Sequence, residues 1–506
     1  MQLRAHRCTA KIQLDYRRQL PEEGMGAKSG KQFLQRLDST PREVWYGGQR
    51  ITGGISSHPA FQGVAKSIAA LYDMQLRPEL KEVMTYESPT THEPVGTSFM
   101  QPRTMDDLAK RTAMMSAWAN YSGGMMGRTA DYLNSSMMAM AAAADFFGKD
   151  GRDYASNVRN YYEHVRENDL LLTHTLINPQ VNRGVGPSKQ ADPFIAARVV
   201  ERTGEGVVIR GARMLATLPI ADEIMVFPST VIRSGQDDMP YSVAFALPVS
   251  ARGLKFICRE SFASESAYDH PLASRFDEQD AVVVFDDVVV PWERVFILED
   301  PEKANRVSEA TDAIVFMAHQ ATVREASKAE FMAGLATLVA ETIGADQFPQ
   351  VQEKVSEILL IAETMKAFIR ASEGNASVSR WGLMTPDYVP INSARNLWPK
   401  IAPTMASMLK LLGASGLMAI PPEGILKSPA RPDLDRYYQA KLADGEERVR
   451  LFKLAWDAAG SSFGGRQDLY ERFFFGDPVR MASAYYGWYN KEPYKERVKE
   501  LLHRKD

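Results

Sequence analysis

Residues 199–228 read VVERTGEGVVIRGARMLATLPIADEIMVFP, and this stretch decides how the chain divides. Runs rich in Val, Ile and Met flank Thr203–Gly206, a composition that predicts a β-hairpin with its turn at those residues. YSVAFALPV (241–249), LKFICRES (254–261) and DAVVVFDDVVVPWERVF (280–296) continue the β character. Upstream the pattern differs. SGKQFLQRLDS (29–39) and HPAFQGVAKSIAALYDMQL (58–76) repeat apolar residues at the spacing of one helix face. The Ala-, Met- and Leu-rich stretch 104–150 is broken at Gly123 and Gly124, which predicts two long helices. Downstream, 321–344, 351–372, 402–420 and 444–463 are long amphipathic segments that predict a helical bundle. The fold class is therefore α+β: a flexible, dispensable extension over 1–30, helices over 31–168, strands over 169–300 and a bundle over 301–506. Strands do not alternate with helices, and no G-x-G-x-x-G follows a strand, which argues against a doubly wound dinucleotide fold.

A chain of 506 residues exceeds what one core accommodates, so several domains are expected. Sixty basic residues stand against 63 acidic ones, with no long basic run, which argues against nucleic acid or an anionic membrane surface as partner. No run approaches the roughly eighteen apolar residues that a membrane span needs. The N-terminus, MQLRAHRCTAKIQLDYRRQL, lacks the apolar region of a secretory signal. Cys8 and Cys258 are the only cysteines, too few for a disulfide framework or a four-thiolate cluster. A cytoplasmic protein is expected.

Four stretches could carry chemistry. In GRTADYLNSS (127–136), Arg128 and Tyr132 are four residues apart and share a helix face. Together they offer a guanidinium and a phenol to a carboxylate or phenolate, or else they are a surface pair with the Tyr in the core. His174, in LLTHTLINPQVNR (171–183), has no acidic or cysteine companions at ligand spacing, so no metal is expected there. It is a packed histidine or a site residue. The donors that follow it, Asn178, Gln180, Asn182 and Arg183, suit a flavin ring or pyrophosphate. Thr217 and the Ser229-Thr230 pair are hydroxyls in β segments, ordinarily ladder or turn residues. In SSFGGRQDLYERFFFGDP (461–478), glycines and three consecutive phenylalanines suit either a core or the walls of a flat ring.

Taken in order, GRTADYLNSS, NDLLLTHTLINPQVNR, GARMLATLPIADE, HPLASRFDEQDAVVVFDDVVVPWERVF and AGSSFGGRQDLYERFFFGDP resemble one family. It is the flavin-dependent phenol ortho-hydroxylases, the large component of 4-hydroxyphenylacetate 3-monooxygenase. The resemblance implies an acyl-CoA dehydrogenase-like architecture, in which an α domain, a β-barrel and a four-helix bundle clasp the flavin. It implies a separate NAD(P)H-dependent flavin reductase that supplies reduced FAD, O2 as co-substrate, and oxygen transfer to the carbon ortho to a phenol hydroxyl. It also implies a homotetramer. Carried over motif by motif, Arg128, Tyr132 and His174 match the substrate and catalytic residues. His174, Thr175, Leu176, Gln180, Val181, Asn182, Arg183 and Thr217 match flavin-binding positions, as do Phe473, Phe474, Phe475 and Gly476. Ser229 and Thr230 match a loop touching the substrate's tail. The chemistry follows from these residue types. Arg128 and a protonated His174 beside the phenol oxygen would favour the electron-rich phenolate, and His174 would exchange its proton. Tyr132 would orient the ring, and the surrounding domains would exclude water.

The expected substrate is 4-hydroxyphenylacetate, with phenol, halo- or nitrophenols, p-coumarate and tyrosine derivatives as alternatives. A 4-hydroxybutyryl-CoA dehydratase, similar in architecture, would need cysteine ligands for an iron–sulfur cluster, and an acyl-CoA dehydrogenase would need a carboxylate base. A non-catalytic flavin or aromatic binder would not hydroxylate at all.

Overall fold

The Thr203–Gly206 turn forms as its composition predicts. Thr203 N donates to Gly206 O at 2.8 Å, joining Arg198–Arg202 to Gly206–Thr217 with Val199 opposite Ile209. The computed structural model describes residues 24–148, 151–228, 235–263 and 266–504, so Ser229 and Thr230 lie outside the described residues. The hairpin ends a six-stranded sheet whose spatial order is Gln49–Arg50, Glu43–Tyr46, Leu254–Cys258, Asp280–Pro291, Gly206–Thr217, Arg198–Arg202. The expected helical region 31–168 thus supplies two strands to it.

DAVVVFDDVVVP shows why register matters. Ala281, Val283 and Phe285 point inward by alternation, but Val288 and Val290 also do, because the register shifts between Phe285 and Val288. The extra residue is absorbed at Asp287, whose φ is 52°. This bulge keeps the core phase after two aspartates that no interior would accept unpaired.

A second sheet contains Val295–Leu298, Val243–Pro248, Glu223–Val226 and Leu172–Thr175 in that order. Phe245 from this sheet and Phe285 from the first meet edge-to-face at 5.9 Å, so the two apolar faces bury each other. Each such ring contributes roughly 1.5–3 kcal/mol by burial. The expected closed β-barrel is corrected here. Among the described residues the central strands form two facing sheets, linked at one edge by a bridge from Ile177 to Met214, beside two short two-stranded sheets. Face-to-face packing satisfies the apolar surfaces without closure.

Within the expected extension, the described residues are held to the fold. Gly26 N donates to Glu167 O at 2.8 Å, and Lys28 N to Asp169 Oδ2 at 2.9 Å, so the chain is pinned to the fold before Lys31. Ser29 then caps the Gly30–Ser39 helix through a reciprocal capping box with Gln32. Arg36 of that helix grips Asp222, beside the second sheet, with two bonds of 2.8 and 2.9 Å.

Gly123 and Gly124, with φ of 57° and 69°, end the Met105–Tyr121 helix and let the chain turn into Ala130–Ala142. That second helix is apolar or small on nearly every side and is buried all round, the pattern of an interior helix. It packs against Ala313–Thr342, the central helix of the C-terminal half, which also contacts Pro349–Gly374, Tyr388–Met418 and Gly445–Ala459. Tyr388–Met418 is the one described helix long and apolar enough to cross a membrane. Its contacts with Ala313–Thr342, Pro349–Gly374 and Gly445–Ala459 account for that apolarity as helix packing.

Candidate active site

Three elements converge on Arg128. It lies just before the Ala130–Ala142 helix, and Tyr132 is on that helix's first turn. His174 sits on the wholly buried strand Leu172–Thr175, paired in parallel with Met225. Phe474 closes the Ser462–Phe473 helix. The Tyr132 and His174 rings are 5.8 Å apart, and Tyr132 and Phe474 are 5.4 Å apart. The Arg128 guanidinium lies 4.6 Å from the Tyr132 ring centre and 4.5 Å from that of Phe474. The structure therefore brings together Arg128, Tyr132, His174 and Phe474 from across the sequence.

Charge pairing separates Arg128 from the cations nearest to it. Around it, Arg324 makes two bonds of 2.8 and 2.7 Å to Glu471, and Lys328 a third of 2.7 Å to the same carboxylate. Arg466 pairs with Asp280, and Arg259 with Asp277 and Asp280. Among the described residues no carboxylate pairs with the Arg128 side chain, whose Nη1 instead donates to Tyr470 Oη at 2.5 Å and whose buried Nε has no partner. A caged cation without a counter-ion calls for an anion from outside the chain.

His174 differs from expectation in its charge. It is only 8% exposed, and burial, followed by the repulsion of Arg128, holds its pKa well below the ordinary 6.5. Both effects favour a neutral imidazole over the protonated His174 expected from its chemistry. A second positive charge buried beside Arg128 is what both effects disfavour. A neutral imidazole is a proton acceptor, a role suited to a phenol O–H.

The other expected positions separate into two groups. Thr175 donates to Met214 O at 2.8 Å, and the Thr217 hydroxyl donates to Asp280 Oδ1 at 2.8 Å, so both are buried and fixed. Leu176 is half-buried and leads into an exposed loop carrying Gln180, Val181, Asn182 and Arg183, with Val181 67% exposed. Arg183 has no carboxylate partner among the described residues. A fixed hydroxyl at depth, an aromatic wall and an amide-rich rim carrying Arg183 fit a flavin whose ring is flat and whose pyrophosphate is anionic. Phe474 and Phe475 face inward and contact each other at 4.4 Å, whereas Phe473 is 52% exposed and turned away. Gly476 has a φ of 110°, which only glycine adopts readily.

Sequence reasoning missed Tyr470, Arg466 and Glu278. Arg466, Tyr470 and Phe474 are spaced by four, so they share one helix face, and that spacing was the available signal. Glu278 has no such pattern. Its partners, Gly127 N at 3.0 Å and Arg128 N at 2.6 Å, are about 150 residues away in sequence, at separations of 151 and 150.

The chain belongs to the 4-hydroxyphenylacetate 3-hydroxylase family: its N-terminal pattern matches residues 29–297 and its C-terminal pattern residues 304–503. The 4-hydroxyphenylacetate 3-monooxygenase oxygenase component of Thermus thermophilus is 47% identical over 477 residues, spanning 94% of this chain and 97% of that one. The 4-nitrophenol 2-monooxygenase oxygenase component of a Rhodococcus species is 32% identical, across 89% and 86% of the two chains. A crystal structure of the oxygenase component of 4-hydroxyphenylacetate 3-monooxygenase, complexed with FAD and 4-hydroxyphenylacetate, superposes with a TM-score of 0.90 at 47% identity, covering 94% and 98%. An archaeal 4-hydroxybutyryl-CoA dehydratase shares the fold at a TM-score of 0.84 with 20% identity, covering 95% and 96%.

Proposed function

We propose that this chain is the oxygenase component of a two-component flavin monooxygenase. It takes reduced FAD and O2 and converts 4-hydroxyphenylacetate to 3,4-dihydroxyphenylacetate. One observation carries the reading: the uncompensated Arg128 cation, caged by Tyr132 and Phe474 beside a neutral buried His174. Reduced FAD, when bound with O2, supplies the electrophilic oxygen. The chain's own residues prepare the acceptor. His174 takes the phenol proton, Arg128 stabilises the resulting phenolate, and Tyr132 orients the ring so that the ortho carbon faces the flavin. Thr175, Leu176, Gln180–Arg183, Thr217 and Phe474–Gly476 hold FAD, whereas the outward-turned Phe473 does not, and Ser229 and Thr230 meet the para substituent. The finer layout belongs to the same proposal: an acyl-CoA dehydrogenase-like division near residues 168 and 300, in a cytoplasmic enzyme. The test is product analysis with reduced FAD across para-substituted phenols. A better turnover of phenol or 4-nitrophenol than of 4-hydroxyphenylacetate would move the substrate assignment, and no hydroxylated product at all would remove the enzymatic reading.

Two expectations follow. The chain alone should not oxidise NADH, and adding an unrelated FAD reductase should start turnover. NADH consumption by the isolated chain, followed by its absorbance, would contradict a two-component system. Exposed Leu359, Leu360, Leu411 and Met418 on the bundle helices also leave apolar surface uncovered, which supports a homotetramer. Light scattering at micromolar concentration should give four times the chain mass, and a monomer would refute that assembly.

A further inference from the structure

Arg128 and Thr217 stand on different elements, yet a continuous run of buried polar contacts joins them. The Glu278 carboxylate accepts from Arg128 N at 2.6 Å and Gly127 N at 3.0 Å. Behind it, Arg466 places Nη1 3.4 Å from Glu278 and Nη2 2.9 Å from Asp280. Asp280 accepts the Thr217 hydroxyl at 2.8 Å. On the same helix face as Arg466, Tyr470 accepts from Arg128 Nη1 at 2.5 Å and donates to Gly127 O at 3.0 Å. The approach is so close that a Cβ on Gly127 would stand 2.1 Å from the Tyr470 hydroxyl oxygen, so no other residue fits there.

We infer that Glu278, Arg466, Asp280 and Tyr470 are positioning residues that set the separation between the substrate-side cation Arg128 and the flavin-side hydroxyl of Thr217. The inference rests on the substrate and flavin roles proposed above for those two residues. Its physical content is geometric. Both amide protons of the 127–128 segment, its Gly127 carbonyl and the Arg128 side chain are held by groups that are themselves fixed, so the guanidinium cannot drift relative to the sheet. The Arg466 fork bridges two carboxylates, a geometry that a single ammonium does not reproduce. Misplacement by about 1 Å costs a reaction of this kind on the order of 10²-fold.

Tyr470→Phe and Arg466→Lys test this in the full chain. Phe keeps the ring that stacks on Phe474 at 5.0 Å and removes only the hydroxyl, and Lys keeps the charge and removes the fork. Three quantities are measured: the melting temperature, the equilibrium affinities for FAD and for 4-hydroxyphenylacetate, and the share of consumed O2 that appears as hydroxylated product rather than peroxide. Tyr470→Phe is expected to leave melting and FAD affinity nearly unchanged. It should weaken 4-hydroxyphenylacetate binding about tenfold, the usual size for a lost hydrogen bond to a charged group, and divert O2 to peroxide. Arg466→Lys should divert O2 in the same way. Unmodified coupling and unmodified substrate affinity in both variants overturn the inference while leaving the proposed function standing. A parallel loss of melting temperature, FAD affinity and substrate affinity also overturns it, because that is the mark of a merely structural role. If the unmodified chain yields no hydroxylated product, the functional reading fails, and the binding measurements, which need no turnover, still decide the inference. If Arg466→Lys does not fold, Tyr470→Phe decides alone.

Discussion

His174→Ala is expected to lower hydroxylation by about 10²–10⁴-fold, the span of a lost general base, while FAD still binds. Without an acceptor for the phenol proton the ring stays a weaker nucleophile, and O2 consumption should continue as peroxide release. Stopped-flow spectra and product yield separate the two channels. A variant that couples as well as the unmodified enzyme would take His174 out of the mechanism. The neutral state of the imidazole adds a pH signature. The unfolded chain binds a proton at His174 near pH 6.5, whereas the folded site resists one to well below that value. Below about pH 6.5 the unfolded state therefore holds more protons, and this group withdraws stability as pH falls toward its folded pKa. Thermal melts between pH 7 and 5 should show a steeper acid decline for the unmodified enzyme than for His174→Ala.

Arg128→Ala should weaken 4-hydroxyphenylacetate binding by roughly 10–100-fold, the cost of a charge-assisted contact worth about 1.5–3 kcal/mol. Hydroxylation per O2 should fall as well, because phenolate loses the cation proposed to stabilise it. The second consequence is specific to this site. Arg128 is one of the two causes that hold the His174 pKa down, so its removal should raise that pKa toward the ordinary range and move the acid limb of the rate profile upward. An unchanged acid limb with lost affinity would show that the two residues do not sense each other. Arg128→Lys should recover the pH profile better than the affinity, since an ammonium restores charge without the planar contact to Tyr132 and Phe474.

Much of the site was legible as local pattern. Arg128 and Tyr132 share a face because they are four apart, and that relation survives in the structure as a guanidinium 4.6 Å from the ring. The donor-rich loop after His174 was legible as composition. The run of phenylalanines was legible only as a group. Helix phase assigned Phe474 to the pocket and Phe473 to solvent, a distinction that the spacing from Arg466 and Tyr470 already contained. Ser229 and Thr230 fall outside the described residues, so their place rests on the resemblance.

The sequence by itself determined the α+β order, the hairpin at Thr203–Gly206 and the helix break at Gly123 and Gly124. These depend on periodicity, on glycine's backbone freedom and on side-chain chemistry, all written within a few neighbouring positions. Tertiary structure alone decided that the central strands form two facing sheets, since closure depends on which edges meet and not on any strand's composition. It also decided the direction in which the His174 pKa moves, because an imidazole's charge is disfavoured by burial and by a guanidinium 46 residues away, neither of which the histidine's own neighbours encode. Glu278 belongs with these. Its carboxylate acquires meaning only where folding sets it against Gly127 and Arg128, a contact made across the chain by packing.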